Sequence, residues 1–289
     1  MSKLDQALLG LESAPHAALR EFKNRPYLKW AGGKFRVLNE LEKRIPLGER
    51  LIEPFAGTAV VSMNSRAASG VAADLNHDLI STHLNVRDRL FELLSYCEDL
   101  FTPQNNNRNS FEYLRDEFNS IQPSIRKSAI FIYLNRHCFN GLCRYNRKGK
   151  FNVPFGRYKS PTLPSEGMVR FSENTKNVEF ICSDFRDVFK LAEEGDVIYC
   201  DPPYAPIEQT SNFTSYSSSA FGQSEQIELQ KLAQNAAERG IPVVISNHDT
   251  PFTRELYQDA EQHFFGVKRA ISRNASNRGA AAEMIAVFQ

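Results

Sequence analysis

Four consecutive residues, Asp201-Pro202-Pro203-Tyr204, have the side chains and the setting for group transfer to a planar substrate. They follow the strand-like run 197–200, and open α/β sheets bind their ligands at the carboxyl ends of strands. Asp201 and the Pro202 carbonyl can accept the two hydrogens of an exocyclic amino group, which localises the nitrogen lone pair, while Tyr204 stacks on the ring. The tetrapeptide therefore indicates methyl transfer to an amino nitrogen. A proline-rich turn that only caps a strand is the structural alternative.

A second motif, EPFAGTA at 53–59, has the pattern of a strand that ends in a tight turn before a helix. Glycine at position 57 lets the backbone approach a ligand closely. Asp74 follows Gly57 by 17 residues, at the end of the next predicted strand, where a carboxylate can bind ribose hydroxyls. One glycine and one aspartate are common by chance, so the motif needs support from others. The chain contains no GxxxxGK[ST] motif, which argues against a nucleoside triphosphate.

A third motif, YLKWAGGK at 27–34, precedes the first predicted strand. It contains the only tryptophan of the chain, Trp30, four residues before Lys34 and next to a glycine pair. Trp30 can contact a cofactor and Lys34 can bind the carboxylate of that cofactor. A core tryptophan beside a solvated lysine explains the same residues equally well in isolation. Because three such motifs occur in this order along one chain, they support one another.

The composition is that of an ordinary globular protein, with 289 residues, 42% hydrophobic and 24% charged. It excludes a disordered chain, a collagen and a coiled coil. No run approaches the about 20 apolar residues of a transmembrane helix, so we expect no membrane partner. Residues 1–20 lack the apolar core and cleavage site of a signal peptide, and we predict a cytoplasmic protein. Five scattered cysteines argue against a disulfide framework and a zinc site, and we expect no metal.

Charge is unevenly distributed along the chain, although the net charge is only +1. Residues 101–160 contain 11 Lys or Arg and 3 Asp or Glu, whereas the rest contains 24 basic and 31 acidic residues. A localised basic patch is typical of a polyanion-binding surface, and the alternative is a solvated loop that happens to be basic. Side chains that can stack on bases or read base edges favour nucleic acid. They recur within the patch: Asn135, Phe139, Asn140, Tyr145, Asn146, Phe151, Asn152, Phe155 and Tyr158.

Strand-like and helix-like segments alternate along most of the chain and must position these motifs. The predicted strands are 51–55, 71–73, 178–183, 197–200, 243–246, 264–268 and 284–288, and the last two can form a hairpin at the sheet edge. Helical periods lie between several of them, at 62–68, 187–194, 229–236 and 253–260. This alternation predicts an α/β fold with a parallel sheet covered on both faces.

The alternation stops between residues 80 and 175, where the sequence predicts only helices, at 79–97, 111–121 and 125–137. In the last of these, Ile125, Ala129, Ile132 and Tyr133 are expected to form the buried stripe. A small hairpin with its turn at Lys148-Gly149-Lys150 follows.

The organisation of the chain therefore suggests a helical, basic insert within an α/β sheet. We expect an N-terminal extension at 1–22, a catalytic domain formed by 23–80 and 165–289, and an inserted target-binding domain at 81–164. Such an arrangement suits an enzyme whose sheet binds a cofactor and whose insert binds a nucleic acid.

Taken together, the chain resembles the Dam-type DNA adenine-N6 methyltransferases, which modify adenine in GATC. The resemblance covers residues 26–288 and includes KWAGGK at 29–34, EPFAG at 53–57, AD at 73–74, YCDPPYAP at 199–206 and ISNHDT at 245–250. Its most specific part is the basic segment YLNRHCFNGLCRYNRKGKFNVPFGRYK at 133–159, which is similar to the target-recognition part of the family.

The resemblance implies a Rossmann-like S-adenosylmethionine-dependent methyltransferase sheet with an inserted helical target-recognition domain. It implies S-adenosylmethionine as the cofactor and S-adenosylhomocysteine as the product, with direct transfer and no covalent enzyme intermediate. Asp201, Pro202, Pro203 and Tyr204 match the catalytic tetrapeptide. The positions that match the cofactor site are Trp30, Lys34, Phe55, Gly57, Asp74, Asp184, Phe185 and Asp201.

The resemblance also implies double-stranded DNA containing GATC as the partner, with the target adenine flipped out of the duplex. Lys29, Leu142, Arg144 and Pro154 match positions that read the GATC bases. Phe139 and Asn140 match the pair that inserts into the duplex, and Arg157 matches a phosphate or base contact. The family further implies a monomer without an obligate protein partner, encoded by a bacterium or a phage.

Three departures from the family pattern are visible. Ala59 stands where the family often has a second glycine; its methyl group is small enough to be tolerated, although it can weaken cofactor affinity. Phe139 stands where tyrosine is expected, but a wedge needs a flat ring and not a hydroxyl. Residues 1–22 have no counterpart in the family.

Other functions remain as alternatives. The same chemistry can act on another DNA sequence, on RNA or on a protein glutamine, or within a restriction-modification system. A catalytically inactive DNA-binding homologue is the alternative from another class, and the intact Asp74 and Asp201 argue against it.

Overall fold

The computed structural model describes residues 23–204, 221–268 and 280–289, and the N-terminal extension expected at 1–22 lies outside them. Seven strands form one sheet. In chain order they are β1 (Arg50–Glu53), β2 (Ser69–Asp74), β3 (Val178–Cys182), β4 (Asp196–Cys200), β5 (Val243–His248), β6 (Glu261–Lys268) and β7 (Ala280–Phe288).

The sheet order is β3-β2-β1-β4-β5-β7-β6. Strands β1 to β5 run parallel, while β7 is antiparallel to both β5 and β6. The chain extends from β1 to β3 on one side and then from β4 to β5 on the other, so the winding direction changes between β1 and β4. Ligands of open α/β sheets bind in the crevice at such a switch point. The prediction of a Rossmann-like sheet with an antiparallel pair at its edge is confirmed.

Nine α-helices accompany the sheet in the described part of the chain. They are α1 (Leu38–Glu42), α2 (His77–Asp88), α3 (Leu90–Leu100), α4 (Arg108–Phe118), α5 (Ile125–His137), α6 (Ser165–Asn174), α7 (Phe185–Phe189), α8 (Gln223–Glu238) and α9 (Pro251–Leu256). Adjacent residues of a strand point to opposite faces, and Leu51 and Ile52 of β1 accordingly belong to two separate apolar clusters. The cluster around Leu51 includes residues of α2 to α6, and the cluster around Ile52 includes residues of α7 and α8. Both faces of the sheet are therefore covered.

Several predicted helix limits are wrong. The segment 79–97 contains two helices instead of one, because Arg89 between them departs from helical geometry, with φ −130° and ψ 37°. The segment 62–68 is helical only over Ser62–Asn64, as a short 3₁₀ helix. The helix predicted at 187–194 is α7, which begins earlier because the Asp184 side chain accepts from the Arg186 N–H and caps it.

Helix α6 was not predicted from the sequence. Only Met168 and Phe171 of its ten residues are buried, which is too few for a clear helical period. The helix packs instead through a small residue, since a Cβ at Gly167 would lie 3.2 Å from Tyr27 Cβ.

Helix α5 is the centre of the insert. Its limits agree with the prediction, and all four residues of the predicted stripe are buried, but burial extends further, to ten of its thirteen residues. Helices α2, α3 and α4 pack around it. A helix buried on most of its faces shows little amphipathic period, and its polar residues need partners inside the protein.

The small hairpin after α5 is present as predicted. Tyr145 and Phe151 form an antiparallel bridge, and the Asn146 Oδ1 accepts the N–H groups of Lys148 and Lys150 inside the turn. Gly149 has φ +69°, which suits glycine. In the described part of the chain, no helix is both long and apolar enough to cross a membrane.

Candidate active site

A cavity of about 620 Å³ opens at the switch point between β1 and β4. Carboxylates from three neighbouring strands line it, namely Glu53 at the end of β1, Asp74 at the end of β2 and Asp201 directly after β4. Because the carboxyl ends of parallel strands meet at one edge of the sheet, three motifs distant in sequence form one site. Every residue of the predicted catalytic and cofactor sets lines this cavity.

The Asp201 carboxylate is held from two sides. Its Oδ1 lies 2.8 Å from the Lys34 Nζ, and it accepts a hydrogen bond of 3.0 Å from the Ser246 hydroxyl. Lys34 also donates to the Gly32 carbonyl at 2.7 Å and is only 5% exposed. An ion pair with one buried partner and several hydrogen bonds has a defined geometry. Lys34 and Ser246 thus orient the Asp201 carboxylate independently of a bound substrate.

Tyr204 is fixed at both ends of its side chain. Its ring centroid lies 4.6 Å from the Lys34 Nζ and 4.6 Å from the His248 ring, which meets it edge-on. Its hydroxyl donates to Glu283 Oε2 at 3.3 Å. Burial, with the nearby charge of Asp201, raises the pKa of the Tyr204 hydroxyl well above its usual range. The ring is therefore a neutral, rigid surface at the rim of the cavity.

The glycine turn binds the end of β2. The Gly57 N–H donates to Asp74 Oδ2 at 3.1 Å, and the Asn76 N–H donates to Oδ1 at 2.9 Å. Burial raises the pKa of Asp74, and these two hydrogen bonds oppose the rise. A Cβ at Gly57, which has φ +49°, would lie 3.2 Å from the Trp30 Nε1. Ala59 has φ +51°, a conformation that favours glycine, at the position where the family often has one.

An aromatic wall closes the other side of the cavity. Phe55 stacks on Phe185 with ring centroids 5.4 Å apart, and Phe221 contacts both rings at 5.4 and 5.6 Å. Asp184 lies beside this wall as the N-cap of α7, and its carboxylate pairs with Arg186. Aromatic faces next to a carboxylate can bind a planar group that carries hydrogen-bond donors.

Sequence reasoning missed four residues of this site. Phe221 has no motif around it that indicates a role, and Ser246 lies in the ISNHDT segment, whose residues were given no individual role. Glu53 was noted only as part of a motif, yet it is 2% exposed and accepts from both the N–H and the hydroxyl of Ser62. Burial raises the pKa of Glu53 to about 7.

The fourth missed residue, His83, supports the glycine turn from behind. Its Nε2 lies 2.8 Å from the Gly57 carbonyl and its Nδ1 lies 2.7 Å from the Tyr27 hydroxyl. Since a carbonyl only accepts, Nε2–H donates to Gly57 and the Tyr27 hydroxyl donates to Nδ1. Burial lowers the pKa of His83 to about 4, so the ring is neutral at neutral pH. This contact could not be predicted from the sequence because His83 lies 26 residues from Gly57 along the chain.

The predicted DNA-contacting residues lie on one surface beside the cavity. Six of them are exposed, and Lys29 is half-buried. We call Phe139–Gly141 the recognition turn; the Phe139 N–H donates to the Pro154 carbonyl, and Asn140 has φ +56°. The exposed six are Phe139, Asn140, Leu142, Arg144, Pro154 and Arg157.

Arg144 is held in an extended position within the hairpin. Its Nε donates to Asn152 Oδ1 at 2.9 Å, and its backbone carbonyl accepts from the Asn152 N–H. Lys29 lies between this surface and the cavity, with its Nζ 4.2 Å from the Tyr158 ring centroid. Burial, and then the charge of Arg136, lowers the pKa of Lys29.

Comparison with known proteins identifies the family. The sequence model of the D12 class N6 adenine-specific DNA methyltransferases matches residues 30–271. The DNA adenine methylase of Salmonella typhi is 44% identical over 267 residues, which cover 92% of this chain and 96% of that protein. The enzymes of that name from Escherichia coli K12 and Serratia marcescens are 43% and 44% identical and are covered over 96% and 99% of their lengths.

The family match covers most of the chain, including the cavity and the surface beside it, and the resemblance seen in the sequence is confirmed. The chain therefore belongs to the D12 class of N6 adenine-specific DNA methyltransferases and methylates adenine in DNA.

Proposed function

We propose that this enzyme transfers a methyl group from S-adenosylmethionine to N6 of adenine in double-stranded GATC and releases S-adenosylhomocysteine. One observation carries the proposal. The Asp201-to-Tyr204 tetrapeptide lines a cavity that has room for a nucleoside-containing cofactor. Trp30 of the same cavity directly follows Lys29, whose Nζ lies 4.2 Å from the Tyr158 ring of the basic segment. A cofactor cavity and a DNA-binding surface that meet at the same point allow the two substrates to react directly.

The lining of the cavity fits S-adenosylmethionine. Its volume of about 620 Å³ lies within the range of small-molecule sites. The rings of Phe55 and Phe185 can face the adenine, and Asp184 can accept from its amino group. Asp74 can bind the ribose hydroxyls, and Trp30 and Gly57 can pack against the rest of the molecule. Such a cofactor supplies an electrophilic methyl group on a sulfonium centre.

The tetrapeptide acts on the target amino group. Asp201 and the Pro202 carbonyl accept hydrogen bonds from its two N–H groups, so that the nitrogen lone pair is free for the methyl group, and the nitrogen then loses one proton to solvent. Tyr204 stacks on the base and fixes the line of attack. Its ring cannot swing easily, because Lys34, His248 and Glu283 contact it. No residue forms a covalent bond to the substrate in this reaction.

The surface beside the cavity recognises the DNA. Basic side chains bind phosphates, and this gives affinity that does not depend on sequence. Lys29, Leu142, Arg144 and Pro154 read the bases of GATC, while Arg157 contacts a phosphate or a base. Phe139 and Asn140, at the exposed tip of the recognition turn, fill the space left by the adenine when it flips toward Tyr204.

Replacement of Asp201 tests the catalytic part of the proposal. Asp201→Asn keeps the shape of the side chain but not its charge, and we expect kcat to fall by about 10²-fold or more, as for loss of one aligned polar group. Binding to a duplex that contains one GATC should change little. Asp187→Asn, at an exposed residue of α7, is the control and should remain active. Normal kcat for Asp201→Asn would disprove the proposed role.

Mapping of N6-methyladenine tests the target. The enzyme is expressed in a host without adenine methylation, and the modified positions are sequenced. Modification of nearly every GATC is the expected result. Modification of another motif would keep the chemistry and remove the base-reading roles, and this is the main alternative function. We further propose that the enzyme acts as a monomer in the cytoplasm, without an obligate protein partner, in a bacterium or a phage-infected cell.

A further inference from the structure

One buried amide group binds both the recognition turn and the residue that directly precedes the cavity-lining Trp30. Asn135 lies in the last turn of α5 and is 2% exposed. Its Oδ1 accepts from the Lys29 N–H at 2.9 Å, and its Nδ2 donates to the Lys29 carbonyl at 2.7 Å. The same Nδ2 donates to the Gly141 carbonyl at 3.4 Å. A single side chain thus satisfies both backbone groups of Lys29, as a neighbouring strand would, and reaches the recognition turn as well.

Lys29 is the residue at which the two sites touch. Its side chain packs on the recognition turn so closely that a Cβ at Gly141 would lie 2.5 Å from the Lys29 Cβ. The next residue, Trp30, lines the cofactor cavity, and a Cβ at Gly57 would lie 3.2 Å from its Nε1. Because both contacts are tight, a shift of the Lys29 backbone displaces the cavity wall and the recognition turn together.

Asn135 is a rigid anchor for the Lys29 backbone and the recognition turn. Helix α5 is buried on most of its faces, so Asn135 cannot follow a movement of the loop that it binds. Without its amide, the N–H and carbonyl of Lys29 would lose their hydrogen-bond partner in a largely dry environment. The loop that contains Lys29 would then adopt other positions relative to the recognition turn.

We propose that Asn135 is a positioning residue that couples filling of the cofactor cavity to reading of the DNA sequence. Its hydrogen bonds hold the Lys29 backbone and the recognition turn in a fixed relative position. This inference rests on the proposed function. A cofactor packed against Trp30 and a cognate site packed against the recognition turn stabilise the same arrangement. Each ligand therefore raises the affinity for the other, because coupling between two sites is reciprocal.

The test compares Asn135→Ala and Asn135→Asp with the unchanged enzyme. The first readout is the Kd for a duplex with one GATC, with and without S-adenosylhomocysteine. The second is kcat/KM on GATC divided by kcat/KM on a site with one base changed. In the unchanged enzyme we expect the cofactor product to tighten DNA binding by about 10-fold, a usual size for coupling between sites. In both variants this factor should fall below about twofold, and sequence discrimination should fall by about tenfold.

Ser128→Ala is the matched control. Ser128 lies on the same helix, is also 2% exposed, and accepts from Asn85 Nδ2 at 2.9 Å, away from the Lys29 loop. It should lower Tm and leave both readouts unchanged. Asn135→Asp has nearly the shape of asparagine and keeps the acceptor for the Lys29 N–H, so it carries the test if Asn135→Ala does not fold.

The outcomes separate this inference from the proposed function. If the Asn135 variants lose only Tm, as the control does, Asn135 is merely structural and the inference is wrong. It is also wrong if the unchanged enzyme methylates GATC but shows no coupling between S-adenosylhomocysteine and DNA. If the unchanged enzyme does not prefer GATC, the proposed function fails, and the inference fails with it.

Discussion

Lys34 shows how a single contact changes the interpretation of a residue. From the sequence, Lys34 was expected to bind the carboxylate of the cofactor. In the structure its ammonium group contacts Asp201 Oδ1 at 2.8 Å and the Gly32 carbonyl at 2.7 Å. A cofactor carboxylate must therefore share Lys34 with Asp201 or replace one of these partners. The cofactor role of Lys34 stays a prediction, whereas its contact with the Asp201 carboxylate is part of the fold.

Glu53 should make stability depend on pH. Burial raises its pKa from 4.5 to about 7, so the folded state favours the protonated form. The stabilisation is complete below pH 4.5 and is lost as pH rises through about 7, and its size is on the order of 3 kcal/mol. Glu53→Gln removes the titration, so the variant should lose less stability between pH 5 and pH 8. Urea unfolding at both values measures this difference.

The control for this experiment is Glu173→Gln, at an exposed residue of α6. It should show the same pH profile as the unchanged protein. An equal loss of stability in Glu53→Gln and in the unchanged protein would show that Glu53 does not carry the effect.

Arg144 should determine sequence choice more than affinity. Asn152 holds its side chain in place on the exposed hairpin, and a guanidinium so held can contact a guanine edge with two hydrogen bonds. Arg144→Ala should reduce discrimination at one base pair of the site by about 1–3 kcal/mol. Lys148→Ala, at an exposed residue of the same hairpin, should weaken all duplexes equally. Binding to duplexes with single base changes checks both variants, and a uniform loss for Arg144→Ala would make it a phosphate contact.

The glycine turn illustrates how one element depends on another. Its conformation is fixed from the front by Asp74 and from behind by His83, which lies on α2 and is itself held by Tyr27. His83 also stacks on Phe171 of α6, with ring centroids 4.9 Å apart. The glycine turn is therefore supported by α2 and α6, two helices that do not line the cavity.

His83→Phe should weaken cofactor binding more than it affects chemistry. Phenylalanine keeps the stacking on Phe171 but leaves the Gly57 carbonyl and the Tyr27 hydroxyl without this partner, at about 1–3 kcal/mol for each unsatisfied group. We expect a higher KM for S-adenosylmethionine with a smaller change in kcat, and unchanged DNA binding. Tyr27→Phe should act in the same direction but less strongly. A fall in Tm with normal KM would show that His83 only fills the core.

The strands and most helices could be predicted because their signals are local. Short apolar runs mark β1 to β5, and apolar spacing marks α8. The buried stripe of α5 was predicted correctly, but its other six buried residues were not, because a helix packed by neighbours on most sides lacks the polar face that a periodic pattern needs. Glu53, His83 and Ser246 could not be assigned from local patterns, since each acts through a partner on another element. Their roles follow from the order of the strands, which a single sequence does not reveal.

On the scale of the whole molecule, the excess of basic residues and the residues that line the cavity lie in different parts of the chain. The basic residues are concentrated in 101–160, where Lys and Arg outnumber Asp and Glu by 11 to 3, while the remainder of the chain is acidic on balance. The acidic remainder includes the sheet and its cavity. Phosphates should therefore be attracted to the insert and not to the other faces, which brings the duplex to the side where the cavity opens.

This separation predicts different salt dependence for the two substrates. Neutralising about six phosphates should weaken DNA binding by about 10³-fold between 50 and 200 mM salt, because counterions are released. Cofactor binding should change little over the same range. Fluorescence anisotropy with a duplex lacking GATC measures DNA binding, and calorimetry with S-adenosylhomocysteine measures cofactor binding. A flat salt profile for the duplex would contradict a phosphate-binding surface.

The continuous core on one face of the sheet has a consequence for how such enzymes can change their target. Leu51 and Val197 of the sheet belong to the same apolar cluster as Ile130 and Phe131 of α5. Recombination therefore cannot exchange the insert as a separate unit. A foreign insert would have to pack against the sheet within the apolar cluster that the two share. Under the proposed function, new sequence preferences are expected to arise by point substitutions at exposed positions such as Leu142, Arg144 and Pro154. Attempts to engineer specificity should begin with libraries at these positions and not with chimaeras.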